Sequence, residues 1–364
     1  MSFDLFNRFF KRFFPVPYFL TVPSFGLDIG DESLKFLELV NTKNGLRVGR
    51  HGECNIPPGV IELGEIKNPK KIEEILIKLR EEVGLKSVRV SLLEEQVYLF
   101  KLRLEKIGLE SIRESIELSL EEHIPLKASE AIFDYELLSQ DEKSLELQVA
   151  AIPKNVIESY LAVFKNAKII VKSFELEAQA ISRSTVKNGD LETYMIVDFG
   201  EKRTGIFIVS RGAVMFTSTL DVGGTTLSNM IAKNFKVSFE EADKMKRKYG
   251  LQRNTENKEI FSVILNSVSV LRDEVVKHFL YWHTHKDEED RDNPPIKKII
   301  LCGGDSNLIG LSEYFSVSMK NTVEMANVWV NILDTEKHVP DINFKRALSF
   351  AASLGLALRD YKHN

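Results

Sequence analysis

Twice in this chain an apolar run stops at an aspartate, turns on a glycine and resumes as a second apolar run. The stretches are "FGLDIGDESLKFLELV", residues 25–40, and "MIVDFGEKRTGIFIV", residues 195–209. Apolar runs bounded by a short glycine-containing turn read as β-hairpins. A strand–turn–strand opening repeated at long range implies two similar lobes facing one another. The chain is long enough for this: 364 residues, 43% of them hydrophobic, can form two compact domains or one bilobed one.

The polar residues of the hairpins suggest a ligand. Asp28, Gly30, Ser33 and Lys35 stand on the first, and Asp198, Gly200 and Thr204 on the second. A glycine turn exposes backbone N–H groups, and hydroxyls and a lysine beside them suit an anion such as phosphate. An aspartate closing each strand, Asp28 and Asp198, suits a Mg²⁺ ion that keeps most of its waters. Gly303 and Gly304, in "LCGGDSNLIG", offer side-chain-free backbone on which a purine or ribose could lie. Gly223 and Gly224 open a helix, and a helix N-terminus also favours phosphate. Asp-x-Gly between strands is also common in ordinary hairpins, so the pairing carries the argument. The motifs G-x-x-x-x-G-K-[ST] and G-x-G-x-x-G are absent, so a nucleotide would be held by other means.

Elsewhere the pattern alternates strands and amphipathic helices. Residues 46–56 continue the first hairpin, and residues 69–83 form a helix between Pro69 and Gly84. Strands at 96–104, 132–138 and 145–153 with helices at 109–124 and 154–165 read as a small α+β unit inserted in the first lobe. The expected division is an N-terminal extension 1–22; a first lobe 23–96 plus 171–193; an insert 97–170; a second lobe 194–345; and a C-terminal helix 346–364 returning to the first lobe.

The net charge of −4 gives no basic stripe for nucleic acid. Two cysteines, Cys54 and Cys302, make a disulfide framework improbable and fit a reducing compartment. No apolar run reaches transmembrane length. The N-terminal stretch lacks the apolar core and cleavage site of a secretion signal. Its Phe6, Phe9, Phe10 and Phe13 share one helical face with Arg8, Lys11 and Arg12 off it, which suits packing on the protein itself, a partner, or weak membrane-surface contact. His278, His283 and His285 near an acidic run read as solvated loop residues before a metal site.

The order of hairpin, second hairpin and Gly-Gly turn resembles the actin-like ATPase superfamily. Within it, the chain resembles the PilM family of type IV pilus assembly. The matching stretches are "ESIELSLEEHIPLKASEAIFDYELL" (114–138), "DVGGTTLSNMIAKNFKVSFEEADKMKRKYGL" (221–251) and "RALSFAASLGLALR" (346–359). This resemblance implies an α/β, bilobed, actin-like fold of duplicated ribonuclease H-like design, with an inserted α+β subdomain. It implies ATP and Mg²⁺ as ligands, with at most slow hydrolysis. Asp243 and Lys246 would flank ribose and base, Gly303, Gly304 and Asp305 would back the adenosine, and Glu175 or Glu177 would orient attacking water. The implied place is the cytoplasmic side of the inner membrane, holding the cytoplasmic tail of a PilN-like membrane protein in a first-lobe groove near the insert, among other pilus assembly proteins and with self-association open. An FtsA-like polymerising ATPase and a scaffold without nucleotide are the alternatives. The sequence departs from the family pattern at Asp31, Glu32, Glu201, Lys202, Arg203 and Asp305, which load the hairpins and the glycine turn with charge.

Overall fold

The computed structural model describes residues 24–361, except 44, 109, 254–256, 287–291 and 333–339. The N-terminal phenylalanines and most of the acidic run therefore lie outside the described residues.

Two five-stranded sheets carry the fold, and they have one plan. In the first, the strands lie in the order Ile170–Leu176, Ser87–Leu92, Phe25–Ile29, Ser33–Thr42, Gly45–Asn55. In the second the order is Val323–Met325, Ile296–Cys302, Thr193–Phe199, Thr204–Ser210, Ala213–Leu220. In each, the first three strands in sequence form an antiparallel meander, and the fourth pairs parallel to the first. The fifth then adds parallel to the fourth. The repeated hairpin is thus the start of a repeated lobe. Parallel neighbours need crossovers, which helices supply. One is Pro69–Val83, where Asn68 accepts the N–H of Lys71 at 3.2 Å, proline stands in the first turn and Gly84 ends the helix in a left-handed conformation. Such a cap stabilises by about 1 kcal/mol.

The insert is a three-stranded sheet, Tyr98–Glu105, Ser144–Pro153 and Ala131–Gln140 in spatial order, covered by the helix Ile112–His123. Ile112, Ile116 and Leu120 recur at the helical period and bury against Leu102, Phe133, Leu147 and Val149. The insert ends earlier than expected. The helix Lys154–Asn166 packs Val156, Ile157, Val163 and Phe164 into the first-lobe core with Leu76 and Val88, so the insert closes near Pro153 and not at residue 170.

Two helices cross between the lobes. Glu177–Thr185 leaves the first sheet and buries Ala178 and Ile181 with Ile196, Phe207 and Val209 of the second. The C-terminal segment makes the opposite journey. It is expected as one helix but is broken into Phe344–Ala347, a 3₁₀ turn at Leu348–Phe350, and Ala351–Leu358. The last piece lies on the first strand and on Glu177–Thr185 so closely that only glycine fits at the contacts. A Cβ on Gly26 would stand 1.8 Å from the Ser353 carbonyl oxygen, and one on Gly355 1.7 Å from that of Ala180. Among the described residues no helix is long and apolar enough to cross a membrane.

Candidate functional site

The two hairpins meet across a cavity of about 850 Å³ between the lobes. Both turns close the same way: the Gly30 N–H donates to the Ser33 carbonyl at 2.9 Å, and the Gly200 N–H to that of Arg203 at 3.0 Å. The strand register then places Lys35 opposite Asp28, and Gly205 opposite Asp198. Asp28, Gly30, Ser33, Lys35, Asp198 and Gly200 all line the cavity.

Each aspartate is held from the neighbouring parallel strand. Asp28 accepts the Ser91 hydroxyl at 2.7 Å, and Asp198 faces the Cys302 thiol at 3.4 Å. Burial pushes the Asp198 carboxyl up to about 6, with Asp28 adding to the rise. The Cys302 thiol is raised by burial and then by Asp198. Burial alone would lower the Lys35 ammonium, but Asp28, Glu53, Glu177 and Asp198 together hold it above its ordinary value. Its Nζ donates to Ser33 Oγ at 2.7 Å, so the first hairpin presents a fixed cation.

Glu175 and Glu177 part company. Glu175 is buried and ion-paired to Arg183 at 2.7 Å and Arg359 at 2.8 Å, on the wall of a different cavity. Glu177 begins the crossing helix and faces the cleft, its carboxyl raised well above the usual range by burial and then by Asp28, Glu94 and Asp198. Glu94, which sequence reasoning missed, accepts the Ala178 N–H at 2.7 Å and is pushed up to about 8, chiefly by burial. Its signal was its place just past the strand Ser87–Leu92, at the carboxyl end where open α/β sheets present ligand groups.

The glycine pairs play a more structural part than expected. Thr204 is buried, its hydroxyl donating to the Val222 carbonyl at 2.6 Å, away from the cavity. The first N–H groups of the helix Gly224–Phe235 are already engaged: Gly224 donates to the Gly200 carbonyl at 3.0 Å and Thr225 to that of Glu201 at 2.8 Å. The helix N-terminus therefore braces the second hairpin, and these amides are not open to phosphate. Gly223 sits against that loop, where a Cβ would meet the Glu201 carbonyl oxygen at 2.4 Å. Gly303, at φ +86°, packs on the Phe199 carbonyl, while Gly304 faces open space apart from Ser349. Lys246 is buried and fixes the far wall, reaching Asp305 at 2.7 Å, Asp243 at 3.0 Å and the Gly224 carbonyl at 3.0 Å. Burial raises the Asp305 carboxyl in spite of Lys246. The carboxyl of Asp243 stays below its ordinary value, since Lys246 and Arg247 outweigh burial.

Four of the six charges that break the family pattern pair across the lobes. Arg203 of the second hairpin reaches Asp31 of the first at 3.0 Å and Glu95 at 2.5 Å, and Lys202 reaches Glu32 at 2.9 Å. The histidines serve structure: His278 bonds Ser218 at 3.1 Å, and His283 bonds the Phe279 carbonyl at 2.8 Å. No group of three or more metal-binding side chains converges among the described residues. An ion held mainly through water on Asp28 and Asp198 needs no such group. The donor set (two facing carboxylates, a fixed lysine and two turns) and a cavity of nucleotide-holding size fit Mg²⁺ with a phosphate chain.

A second cavity, also about 850 Å³, lies where the insert meets the first lobe and the edge of the second, Gly212–Val214. Its floor includes Leu99, Ala150 and Ile152 of the insert sheet, and Ser182 and Arg183 of the crossing helix, with Val186 just past its end, form another wall. Gln148 is buried there with its Oε1 unpartnered, while its amide nitrogen donates to the Val214 carbonyl.

Two lobes of one plan, hinged by crossing helices around a cleft with paired hairpins, define an actin-like protein. Solved structures agree on the fold. The PilM-PilN type IV pilus biogenesis complex matches with a TM-score of 0.77 at 20% identity, over 94% of this chain and 99% of that one. MreB5 of Spiroplasma citri bound to ADP matches with a TM-score of 0.55 at 15% identity, over 94% and 99%. The ethanolamine utilization protein EutJ from Carboxydothermus hydrogenoformans matches with a TM-score of 0.54 at 16% identity, over 94% and 91%. Among curated proteins, EutJ of Escherichia coli (strain K12) is 28% identical over 125 residues, 34% of this chain, and the match spans 38% of that relative's length. The family model of the type IV pilus assembly protein PilM matches residues 26–361, and the chain belongs to that family.

Proposed function

We propose that this protein is an ATP-binding scaffold of type IV pilus assembly, with MgATP as a structural ligand or slow switch. The observation that carries this reading is the convergence of Asp28, Lys35 and Asp198 from both hairpins on one interlobe cavity. Lys35, Ser33 and the turn amides would hold the phosphates. Asp28 and Asp198 would hold hydrated Mg²⁺, which when bound offsets phosphate charge. Glu177 is the group in reach to orient water; Glu175, tied up by two arginines, is not. Burial, and then Asp28, Glu94 and Asp198, raise the Glu177 carboxyl well above the usual range, so less of it is ionised at a given pH than of an ordinary glutamate, which supports slow turnover at most. The MreB5 structures solved with ADP and with AMPPNP support a nucleotide in this fold.

The second cavity supports the partner site, in which the cytoplasmic tail of a PilN-like membrane protein would lie between insert and first lobe. The protein would then work at the inner surface of the membrane that carries that partner. The crossing helix supports a link between the two ligands. Glu177 and Ile181 face the cleft, while Gln179, Ser182 and Arg183 face the groove. A ligand that prefers one setting of that helix shifts affinity at the other site, and the effect is reciprocal.

The deciding experiment is titration with ATP, with and without Mg²⁺, followed by a slow turnover assay and a repeat with a synthetic PilN-tail peptide present. Binding strengthened by Mg²⁺ is expected. An absence of ATP binding would leave a docking scaffold without nucleotide, the reading that the already-paired hairpin charges favour.

A further inference from the structure

Two of the contacts between the lobes differ sharply in chemistry. On one side the lobes share an apolar core in which Leu37, Ala178 and Ile181 meet Ile196, Phe207 and Val209 under the C-terminal helix. Across the mouth of the cleft they meet through ions: Arg203 with Asp31 and Glu95, and Lys202 with Glu32. An apolar core resists separation in water, whereas ion pairs at a solvent boundary exchange readily with water and salt. The core is therefore suited to serve as a hinge, and the ion pairs are contacts across the cleft that opening would break.

We propose that Lys202 and Arg203 form an interlobe clasp with Asp31, Glu32 and Glu95, which holds the cleft closed and sets the rate at which a ligand enters and leaves it. The nucleotide part of this statement rests on the reading above; the closure of the cleft does not.

The anchoring of each partner argues for a built device. Asp31 does not hang in solvent: its two carboxylate oxygens accept the N–H groups of Leu63 at 3.3 Å and Gly64 at 3.2 Å, and it is 8% exposed. Glu95 belongs to the one-turn helix Glu94–Gln96, and the adjacent Glu94 caps the crossing helix at Ala178. On the other lobe, the carbonyl of Arg203 closes the hairpin turn, and its side chain is 16% exposed. Burial opposes its charge, yet Glu95 and Asp31 hold the guanidinium above its ordinary value. A fixed counter-ion on each side loses little side-chain freedom on pairing, unlike an ordinary surface pair. The clasp also reaches the chemistry, since Arg203 steadies the turn whose Glu94 caps the helix that begins with Glu177.

The clasp is tested by the interlobe distance in the ligand-free protein. Spin labels at Lys78→Cys on the first lobe and Lys233→Cys on the second, in a Cys54→Ser background, report it by pulsed electron resonance. Lys202→Glu leaves an exposed surface position and should fold normally. It is expected to lengthen and broaden the distance distribution, and Glu32→Lys in the same molecule should restore it. Arg203→Ala should open the cleft further. With N-methylanthraniloyl-ATP as probe, release should be about threefold to fivefold faster in Lys202→Glu and about tenfold or more in Arg203→Ala. An unchanged distance in both variants, or no rescue by the swapped pair, overturns the clasp. The distance needs no nucleotide, so failure of ATP to bind would count against the nucleotide reading alone.

Discussion

The two hairpins share backbone, register and turn, and differ in almost every charged atom. The first carries a lysine across from its aspartate and an acidic loop, Asp31 and Glu32. The second carries glycine in the lysine's place, where a Cβ would strike the Phe207 ring at 2.4 Å, and a basic tip, Lys202 and Arg203. Duplication preserved the frame, and the copies then took different work. The first hairpin keeps the cation that faces the cavity, and the second has turned its cations outward onto its twin. A similar split appears beneath the hairpins. The position two residues before each aspartate is Gly26 in the first lobe, covered by helix backbone, and Ile196 in the second, which fills its own space.

The strongest way to break that comparison is at the crossing helices. Gly26→Ala or Gly355→Ala forces a methyl group into a carbonyl and is expected to cost about 3 kcal/mol, the upper end for overpacking. Ile196→Val in the other lobe should cost only about 1 kcal/mol. Urea unfolding of the three variants checks this, and equal costs would mean that the helix does not sit where glycine is required.

Next come the cleft groups. Asp198→Ala is expected to weaken the Mg²⁺-dependent part of ATP binding by about 10–100-fold, the usual cost of losing an outer-sphere metal partner, with the fold intact. Lys35→Ala should weaken binding about tenfold whether or not Mg²⁺ is present, since a charge-assisted hydrogen bond is lost. Calorimetry with and without the metal separates the two. Equal metal dependence would erase the division of labour between the hairpins.

The pH dependence is smaller and has a definite sign. Burial raises Asp198 to about 6, and Mg²⁺ needs its anion, so Mg²⁺-dependent affinity should fall as the pH drops from 7 towards 5. In the ligand-free protein the same raised value works the other way. The folded state binds this proton more tightly, so this group's contribution to stability is lost as pH rises from the ordinary value of 3.8 through about 6. Asp198→Asn should flatten both curves. The smallest effect is expected from Cys302→Ser, which gives Asp198 the hydroxyl neighbour that Asp28 has in Ser91. A stronger donor favours the carboxylate, so the pH midpoint of Mg²⁺-dependent binding should move down by a few tenths of a unit; a move upward would show that the thiol already donates better.

Much of this was legible because it rests on local chemistry. Glycine turns between apolar runs disclosed both hairpins, and Pro69 and Gly84 marked a helix whose ends match the structure. What was not legible depends on long-range choices. The stripe on Lys154–Asn166 says that the helix is buried, but not on which sheet, so the expected insert includes a helix that packs on the first lobe. The alternation between Glu175 and Glu177 straddles a strand end and a helix start, and only the turn between them decides which one faces the cleft. Gly223 promised a helix N-terminus open to phosphate and Gly303 a bare backbone for purine or ribose, whereas tertiary packing filled the space beside both with the second hairpin. Charges on the hairpin tips looked like obstacles to an anion because their partners are far away in sequence.

The crossing of the C-terminal helix also bears on how the chain is made. The first strand is covered by Ala351–Leu358, and Ser24 bonds Asp360 across 336 residues of sequence. The strand thus waits for a segment far along the chain to be made before it is sealed. Contacts of such separation form late and slowly. Until then Gly26 and its neighbours lie open as an apolar strip on a half-built domain, the kind of surface that chaperones bind and that aggregates when they are scarce.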